Sequence, residues 1–257
     1  MKTAPEQGIS TEKNVPATLA DFVRQWIVFR AIFQQDAPVQ DSQYAALMQR
    51  ILPTFKPDAL PDRRDESPET HARVNKERVA QLEALEETAE EEGVTVHNAG
   101  LVLLNPFLPH FFRNLDMLDE KGGFKSPELA DRGALLLEYL ATKQTEMPEF
   151  MLVLNKLLCG IPITRPIPES IEITPDEQEM AESLLQAVIS QWSPMSKSSV
   201  DGLRGAYIVR NGLLSLQDVR RLTVEKKAYD ILLGQLPWSF SIVRLKWMEQ
   251  PLFVQWG

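Results

Sequence analysis

Apolar residues recur at helical spacing over residues 19–33, where Leu19, Phe22, Val23, Trp26, Ile27 and Phe33 share one face. Phe29 and Ile32 widen that face, which predicts cover from more than one neighbour. Thr18 stands where a helix cap belongs. A second, short helix is expected over 44–55, with Pro53 and Pro57 ending it. Residues 57–68 are charged and marked by prolines, as a linker is. Residues 69–92 then read as one long polar helix. Its apolar stripe, Val79, Leu82, Leu85 and Ala89, is thin. So narrow a face predicts surface packing or a projecting helix. Glu90, Glu91 and Glu92 oppose the helix dipole, so this end is expected to fray, with Gly93 as the stop.

The pattern is denser from residue 94 onward. Residues 96–118, VHNAGLVLLNPFLPHFFRNLDML, form the longest apolar segment. Asn98, Asn105, Pro106, Pro109, His110, Arg113 and Asn114 interrupt it, whereas a membrane span needs ~20 nearly continuous apolar residues. Burial inside a fold or against a partner is expected instead. Residues 105–118 look helical, with Pro106 in the first turn. Ser126-Pro127-Glu128-Leu129 is a capped helix start, and that helix should reach Thr142. An apolar helix is expected over 149–158, ended by Gly160 and Pro162. Residues 161–173 alternate Pro with Ile and suit an extended crossover. Thr174-Pro175-Asp176-Glu177 opens a helix through Trp192, and Ser199 caps another over 200–210.

The period changes after Leu213. Residues 219–233 fit strand or helix equally, while 239–245 and 251–256 carry aromatic and β-branched residues in near alternation. The expectation is a mostly α protein: a multi-helix bundle with a small C-terminal β-element. It divides into a disordered tail (1–17), an N-terminal helical extension with a charged linker and acidic helix (18–93), and a helical domain ending in a short β-element (94–257).

Composition changes little in that picture. The 257 residues are 44% apolar and 25% charged, enough for a sizeable core. The net charge of −9 is uneven. Residues 58–93 hold twelve acids against five bases, while residues 200–257 hold eight bases against five acids. The acidic balance disfavours nucleic acid as a partner. The polarity could steer association with another protein or another copy, although solvated helix faces explain most charge runs. The first twenty residues lack the apolar core of a secretory signal. With one cysteine, no intrachain disulfide forms, which suits a cytoplasmic setting.

Candidate chemistry is sparse. His71, His97 and His110 make no metal-ligand spacing, so no metal is expected. Cys159 lies in apolar surroundings near an expected helix C-terminus, where a thiol is buried and inert rather than nucleophilic. Gly122-Gly123 is a turn, and no phosphate-binding loop or serine elbow is present. No cofactor and no enzyme activity are therefore expected. Asn155-Lys156 is unusual inside an apolar helix: either it faces water or Asn155 makes a satisfied buried bond. Trp238, Trp247 and Trp256 gather aromatic side chains near basic residues, as interface anchors do. A small sheet packed on the helical body with Trp at its seam is the favoured account of them, and the two readings are compatible. The candidate protein-contact residues are Asn98, Asn105, Phe107, Phe111, Asn155, Lys156, Trp238, Trp247 and Trp256.

Seven segments in order, NAGLVLLNPFLPHFF (98–112), LLLEYLATK (135–143), LVLNKLLCGIPI (152–163), ESLLQAVISQW (182–192), SVDGLRGAYIVRNGLL (199–214), TVEKKAYDILLGQLPWSFSIVRLKWM (223–248) and FVQW (253–256), resemble the C-terminal region of the contractile injection system tape measure family. The resemblance covers about residues 94–257. It implies a structural or assembly role in a phage-tail-like particle, with tube or baseplate proteins as partners and no active site. A ruler needs length, and residues 1–93 as one helix would reach at most ~150 Å. Pro38, Pro53, Pro57, Pro61 and Pro68 interrupt even that, so docking or assembly is the expectation rather than measurement. The alternative is a cytoplasmic chaperone or adaptor that binds a particle or cargo protein through residues 69–92. The oligomeric state and the place in the particle stay open.

Overall fold

Residues 133–141, GALLLEYLA, are apolar on nearly every side of a helix, the pattern of a helix enclosed by its neighbours. The computed structural model describes residues 68–257, with side chains from residue 74. The tail 1–17, the helices expected over 19–33 and 44–55, and nearly all of the 57–68 linker lie outside the described residues.

Helix α1 (Pro68–Glu91) leads into strand β1 (Val94–Val96). A 3-10 segment (Ala99–Leu104) follows, then α2 (Leu108–Asn114), α3 (Pro127–Thr142) and α4 (Val153–Leu158). The proline-rich crossover leads to α5 (Pro175–Gln191), and α6 (Val200–Leu203) runs into a π-helical turn, Arg204–Ile208. Next come β2 (Gly212–Ser215), β3 (Arg221–Val224), a 3-10 segment (Ala228–Gln235), β4 (Ile242–Val243) and β5 (Leu252–Trp256).

The strongest local signals set their helices as the sequence predicts. Ser126 Oγ accepts the Leu129 N–H at 3.3 Å and starts α3. Thr174 and Glu177 form a reciprocal capping box at α5. Arg132 of α3 donates through Nε to Glu177 Oε1 at 2.5 Å, which ties the two helices together. Around α3 lie α4, α5 and the π-helical turn, and every residue from Gly133 to Ala141 is buried.

The long polar helix is present as α1, but its C-terminal end is held rather than frayed. The Ala89 carbonyl accepts the Leu216 N–H at 2.9 Å, and the Glu91 carbonyl accepts Gln217 Nε2 at 3.3 Å. Residues just beyond β2 thus supply donors to the orphan carbonyls of a helix end. Gly93, at φ +85°, makes the turn into β1.

The multi-helix bundle with a small C-terminal β-element is overturned. Helix is the larger part of the described region, 51% against 12% strand, yet five strands form one mixed sheet in the order β1-β2-β3-β5-β4. Neighbours are antiparallel except β3 and β5, which are parallel. The domain is an α+β fold. Strand β1 comes from the edge of the longest apolar segment and pairs Val94 with Leu214 and Val96 with Gly212. Strands of two to five residues carry too little alternation to be read alone. Only pairing with distant partners makes them a sheet.

That sheet has one buried face. Val94, Val96, Leu214, Leu222, Val224, Val243, Leu252 and Val254 point inward. The Ala99–Leu104 segment, wholly buried, packs against β3 and against the π-helical turn. Thr95, Leu213, Arg221, Ile242, Phe253 and Gln255 alternate to the other face and are exposed.

Candidate functional site

Four of the nine sequence-nominated residues lie inside the domain. Asn98 and Asn155 belong to one buried polar cluster centred on Glu138 of α3. Asn98 Nδ2 donates to Glu138 Oε2 at 2.8 Å and to Asn155 Oδ1 at 2.7 Å. Asn155 Nδ2 donates to the Ala134 carbonyl at 3.1 Å and to Glu138 Oε2 at 3.2 Å. His97 Nε2 lies 2.9 Å from Glu138 Oε1, and Thr142 Oγ1 donates to the same oxygen at 3.0 Å. Burial pushes the Glu138 carboxyl up, but the His97 charge and these hydrogen bonds outweigh it and hold the group below its ordinary value. With Glu138 ionised, His97 Nε2 carries the proton of that bond. The cluster joins the residues just after β1 to α3 and α4, so it positions elements of the fold.

Lys156 is also enclosed. Its Nζ donates to Glu149 Oε1 at 2.5 Å and to the Ile163 and Arg165 carbonyls at 2.9 Å each. All three ammonium protons are spent. Burial pulls the Lys156 pKa down, and the Glu149 carboxylate only partly offsets it. Arg78 of α1 reaches Glu149 Oε2 at 2.6 Å and the Ile167 carbonyl at 2.7 Å. The acidic helix is therefore clamped by an ion pair to Glu149, just ahead of α4, and by a hydrogen bond to the crossover. Phe111, the fourth enclosed residue, is 2% exposed and packs against Phe112.

The other five residues reach the surface in part. Phe107 and Trp238 meet edge to face at 5.0 Å, and Trp238 Nε1 donates to the Leu103 carbonyl at 2.9 Å. Asn105 Nδ2 bonds the Ser239 carbonyl at 3.2 Å. Trp247 packs against Phe112 and Phe124, and its Nε1 donates to the Leu158 carbonyl at 2.7 Å. A Cβ at Gly160, whose φ is +69°, would stand 2.4 Å from the Trp247 carbonyl oxygen, so that close approach needs glycine. Each indole N–H is satisfied, as buried tryptophans require.

Trp256 belongs to a cluster that sequence reading missed. Arg210 is fully buried and forks onto Asp230, with Nη1 at 2.9 Å from Oδ2 and Nη2 at 3.1 Å from Oδ1. Its guanidinium lies 5.9, 5.2 and 5.6 Å from the ring centres of Tyr207, Tyr229 and Trp256. Trp256 Nε1 donates to Asp230 Oδ2 at 2.9 Å. Burial raises the Asp230 pKa, but the donors from Arg210, the Lys227 backbone and Trp256 hold it below the usual carboxylate range. The cluster draws on three separate stretches, Tyr207 with Arg210, Tyr229 with Asp230, and Trp256, and no local pattern announces their meeting.

Cys159 is buried, and burial, aided by the Asp131 charge, pushes its thiol well above the ordinary value. Among the described residues, no three metal-ligating side chains gather, and no helix is long and apolar enough to cross a membrane. The polar side chains form internal ties, with His97 Nδ1, Asn98 Oδ1 and Arg210 Nε left without a hydrogen-bond partner.

What faces outward is the second face of the sheet. Thr95, Leu213, Thr223 and Gln255 stand side by side across β1, β2, β3 and β5. Ser215, Arg221, Phe253 and Ile242 form a second row across β2, β3, β5 and β4. Leu213, Phe253 and Ile242 are 45%, 38% and 54% exposed. Alternation in the last strand was the one signal that could have singled out Phe253.

No curated protein and no solved structure matches this chain. A family model described as contractile injection system tape measure protein matches residues 9–256, well beyond the 94–257 region in which the resemblance was legible. With nearly its whole length matched, the chain belongs to the contractile injection system tape measure protein family.

Proposed function

We propose that the described domain is a docking module that holds this protein to tube or baseplate proteins during particle assembly. One observation carries the reading: the outward sheet face sets Leu213, Phe253 and Ile242 in solvent beside Arg221. Large apolar side chains set together on a rigid sheet favour burial against another protein. Both Ile242 and Phe253 fall in the 238–256 region, between Trp238 and Trp256. Asn105, Phe107 and Trp238 form a second, half-buried group joined by the Phe107–Trp238 ring contact and the Asn105 bond to Ser239. Glu138, Lys156 and Arg210 are tied inside the same domain, and a preformed face would lower the ordering cost of binding. Family membership supports the reading, because a tape measure works only in contact with other particle proteins.

The test is to purify particles from cells carrying the wild-type gene, no gene, or the I242D/F253D double variant. Particles are imaged by electron microscopy and blotted for the protein. Missing or length-altered particles without the gene, and a folded double variant absent from particles, are the expected result. Normal particles in the absence of the protein would sink the assembly role. Defective particles that never contain it would favour the cytoplasmic chaperone or adaptor.

A further inference from the structure

The outward sheet face is apolar and cationic. Leu213, Phe253 and Ile242 share it with Arg221, and no strand residue on that face is an acid. Arg244, two residues past Ile242, is exposed on the same side by strand alternation. Among the described residues neither arginine has an ion-pair partner. The chain's own α1 does not cover the face. Arg78 fixes it to Glu149 and the Ala89 carbonyl fixes it to the Leu216 N–H, while Phe253 and Ile242 stay exposed. Apolar side chains gathered in solvent favour cover by another molecule.

Helix α1 carries the complementary chemistry. Val79, Glu83, Glu86 and Glu90 recur at spacings of four, three and four, which sets them on one stripe of the helix. Val79 and Glu86 are half-buried and Glu83 and Glu90 are exposed, so the stripe runs beside the buried Leu82 and Ala89 and is open to solvent. Leu85, also half-buried, lies on the opposite flank. The three glutamates stand three or four residues apart and repel one another, and Glu90 also opposes the helix dipole. Among the described residues no cation pairs with them, so the helix keeps a repulsion that a positively charged surface relieves. The spacing fits as well. Glu83 and Glu90 are two turns apart, about 10 Å. Arg221 and Arg244 are separated by two strand steps and two residues, about 12 Å.

We propose that α1 of a second copy of this chain lies across the outward sheet face, with Glu83 and Glu90 against Arg221 and Arg244 and Val79 against Phe253 and Ile242. The proposal rests on the reading that this face takes a protein, and it names what covers the face until a particle protein replaces it. One chain displays both halves of the contact, matched in sign, spacing and apolar content, which favours a second copy over an unrelated acidic protein. The contact pairs two different surfaces, so it joins copies either reciprocally or in a row.

The experiment follows the mass of the full chain by analytical ultracentrifugation over a range of protein and salt concentrations. The wild type is expected to exceed the 29.2 kDa of one chain, and less so as salt rises. E83K/E90K, R221E/R244E and I242D/F253D should each weaken self-association about tenfold or more, with folding checked by circular dichroism. An equimolar mixture of E83K/E90K with R221E/R244E should regain it, because every helix then finds a sheet of opposite sign. The proposal is overturned if the wild type stays at the mass of one chain, if either charge-reversed variant associates unchanged, or if their mixture stays monomeric. Association that survives I242D/F253D lies elsewhere and overturns it too. Incorporation into particles judges the docking reading separately. A chain that does not self-associate, yet loses its place in particles as I242D/F253D, overturns the second copy and leaves docking standing. A self-associating chain whose I242D/F253D variant is monomeric but enters particles normally overturns docking through this face and supports the second copy as its occupant.

Discussion

Lys156 Nζ sits 2.5 Å from Glu149 Oε1 with both side chains almost completely withdrawn from solvent. Glu149 in turn holds Arg78 of α1 and accepts the Ile167 N–H at 2.7 Å. One carboxylate therefore joins the acidic helix, α4 and the crossover. A buried pair of this kind adds little over a well-packed apolar pair, but breaking it strands a charge. Lys156→Met should cost about 3–5 kcal/mol in chemical denaturation. The double variant K156M/E149Q should recover part of that loss. A K156M cost below about 1 kcal/mol would mean that Glu149 readily finds other partners.

The Glu138 cluster should make stability fall in acid. Its carboxyl titrates lower in the folded protein than its ordinary value of 4.5, so the unfolded chain binds the proton first. The stabilisation is complete above that ordinary value and drains away as pH falls through the folded value. Urea midpoints of the wild type and Glu138→Gln, compared between pH 7 and pH 3, read this directly. The variant should start less stable and lose less on acidification. Parallel pH curves would show that Glu138 does not contribute.

Gly100 lies against the π-helical turn. A Cβ there would meet the Tyr207 carbonyl oxygen at 1.7 Å, a backbone atom that cannot swing aside. Gly100→Ala should destabilise the domain by about 3 kcal/mol or more, seen as a lowered thermal midpoint or insoluble expression. Gly205, within the π-helical turn itself, has nothing within 4 Å of the same position. Gly205→Ala should be neutral or stabilising by about 0.5 kcal/mol.

Cys159 offers a chemical probe of the core. A thiol both buried and held protonated should ignore Ellman's reagent in the native protein and react fully in denaturant. Fast native reaction would show that α4 opens readily. Cys159→Ser should leave particle assembly intact, whereas loss of assembly in a folded variant would point to thiol chemistry.

The helices were the legible part of this molecule. The Ser126 cap, the Thr174–Glu177 box and the Gly93 stop each act within a few residues, so spacing alone reveals them. The same holds for the burial of Cys159 beside an apolar helix end. The family, too, was legible in the order of the motifs, though over a shorter stretch than the 9–256 that match. Of the two options read for Asn155, the structure has the satisfied buried bond.

The sheet and the sites were decided in three dimensions. Val94–Val96 is three residues long, and its strand character comes from Gly212–Ser215, more than a hundred positions away. Nothing local marks Arg210 and Asp230 in the sequence; the fold sets them against each other and three aromatic rings. The sequence by itself determined what local hydrogen bonding and periodicity determine: where helices begin, which faces are apolar, and which family the chain resembles. Tertiary structure alone decided strand partners, the pairing of buried charges, and which of the apolar side chains stay in solvent. The reason is physical. Caps and amphipathic faces gain their free energy within a few residues, whereas short strands and buried ions gain theirs only from partners that the folded chain brings together.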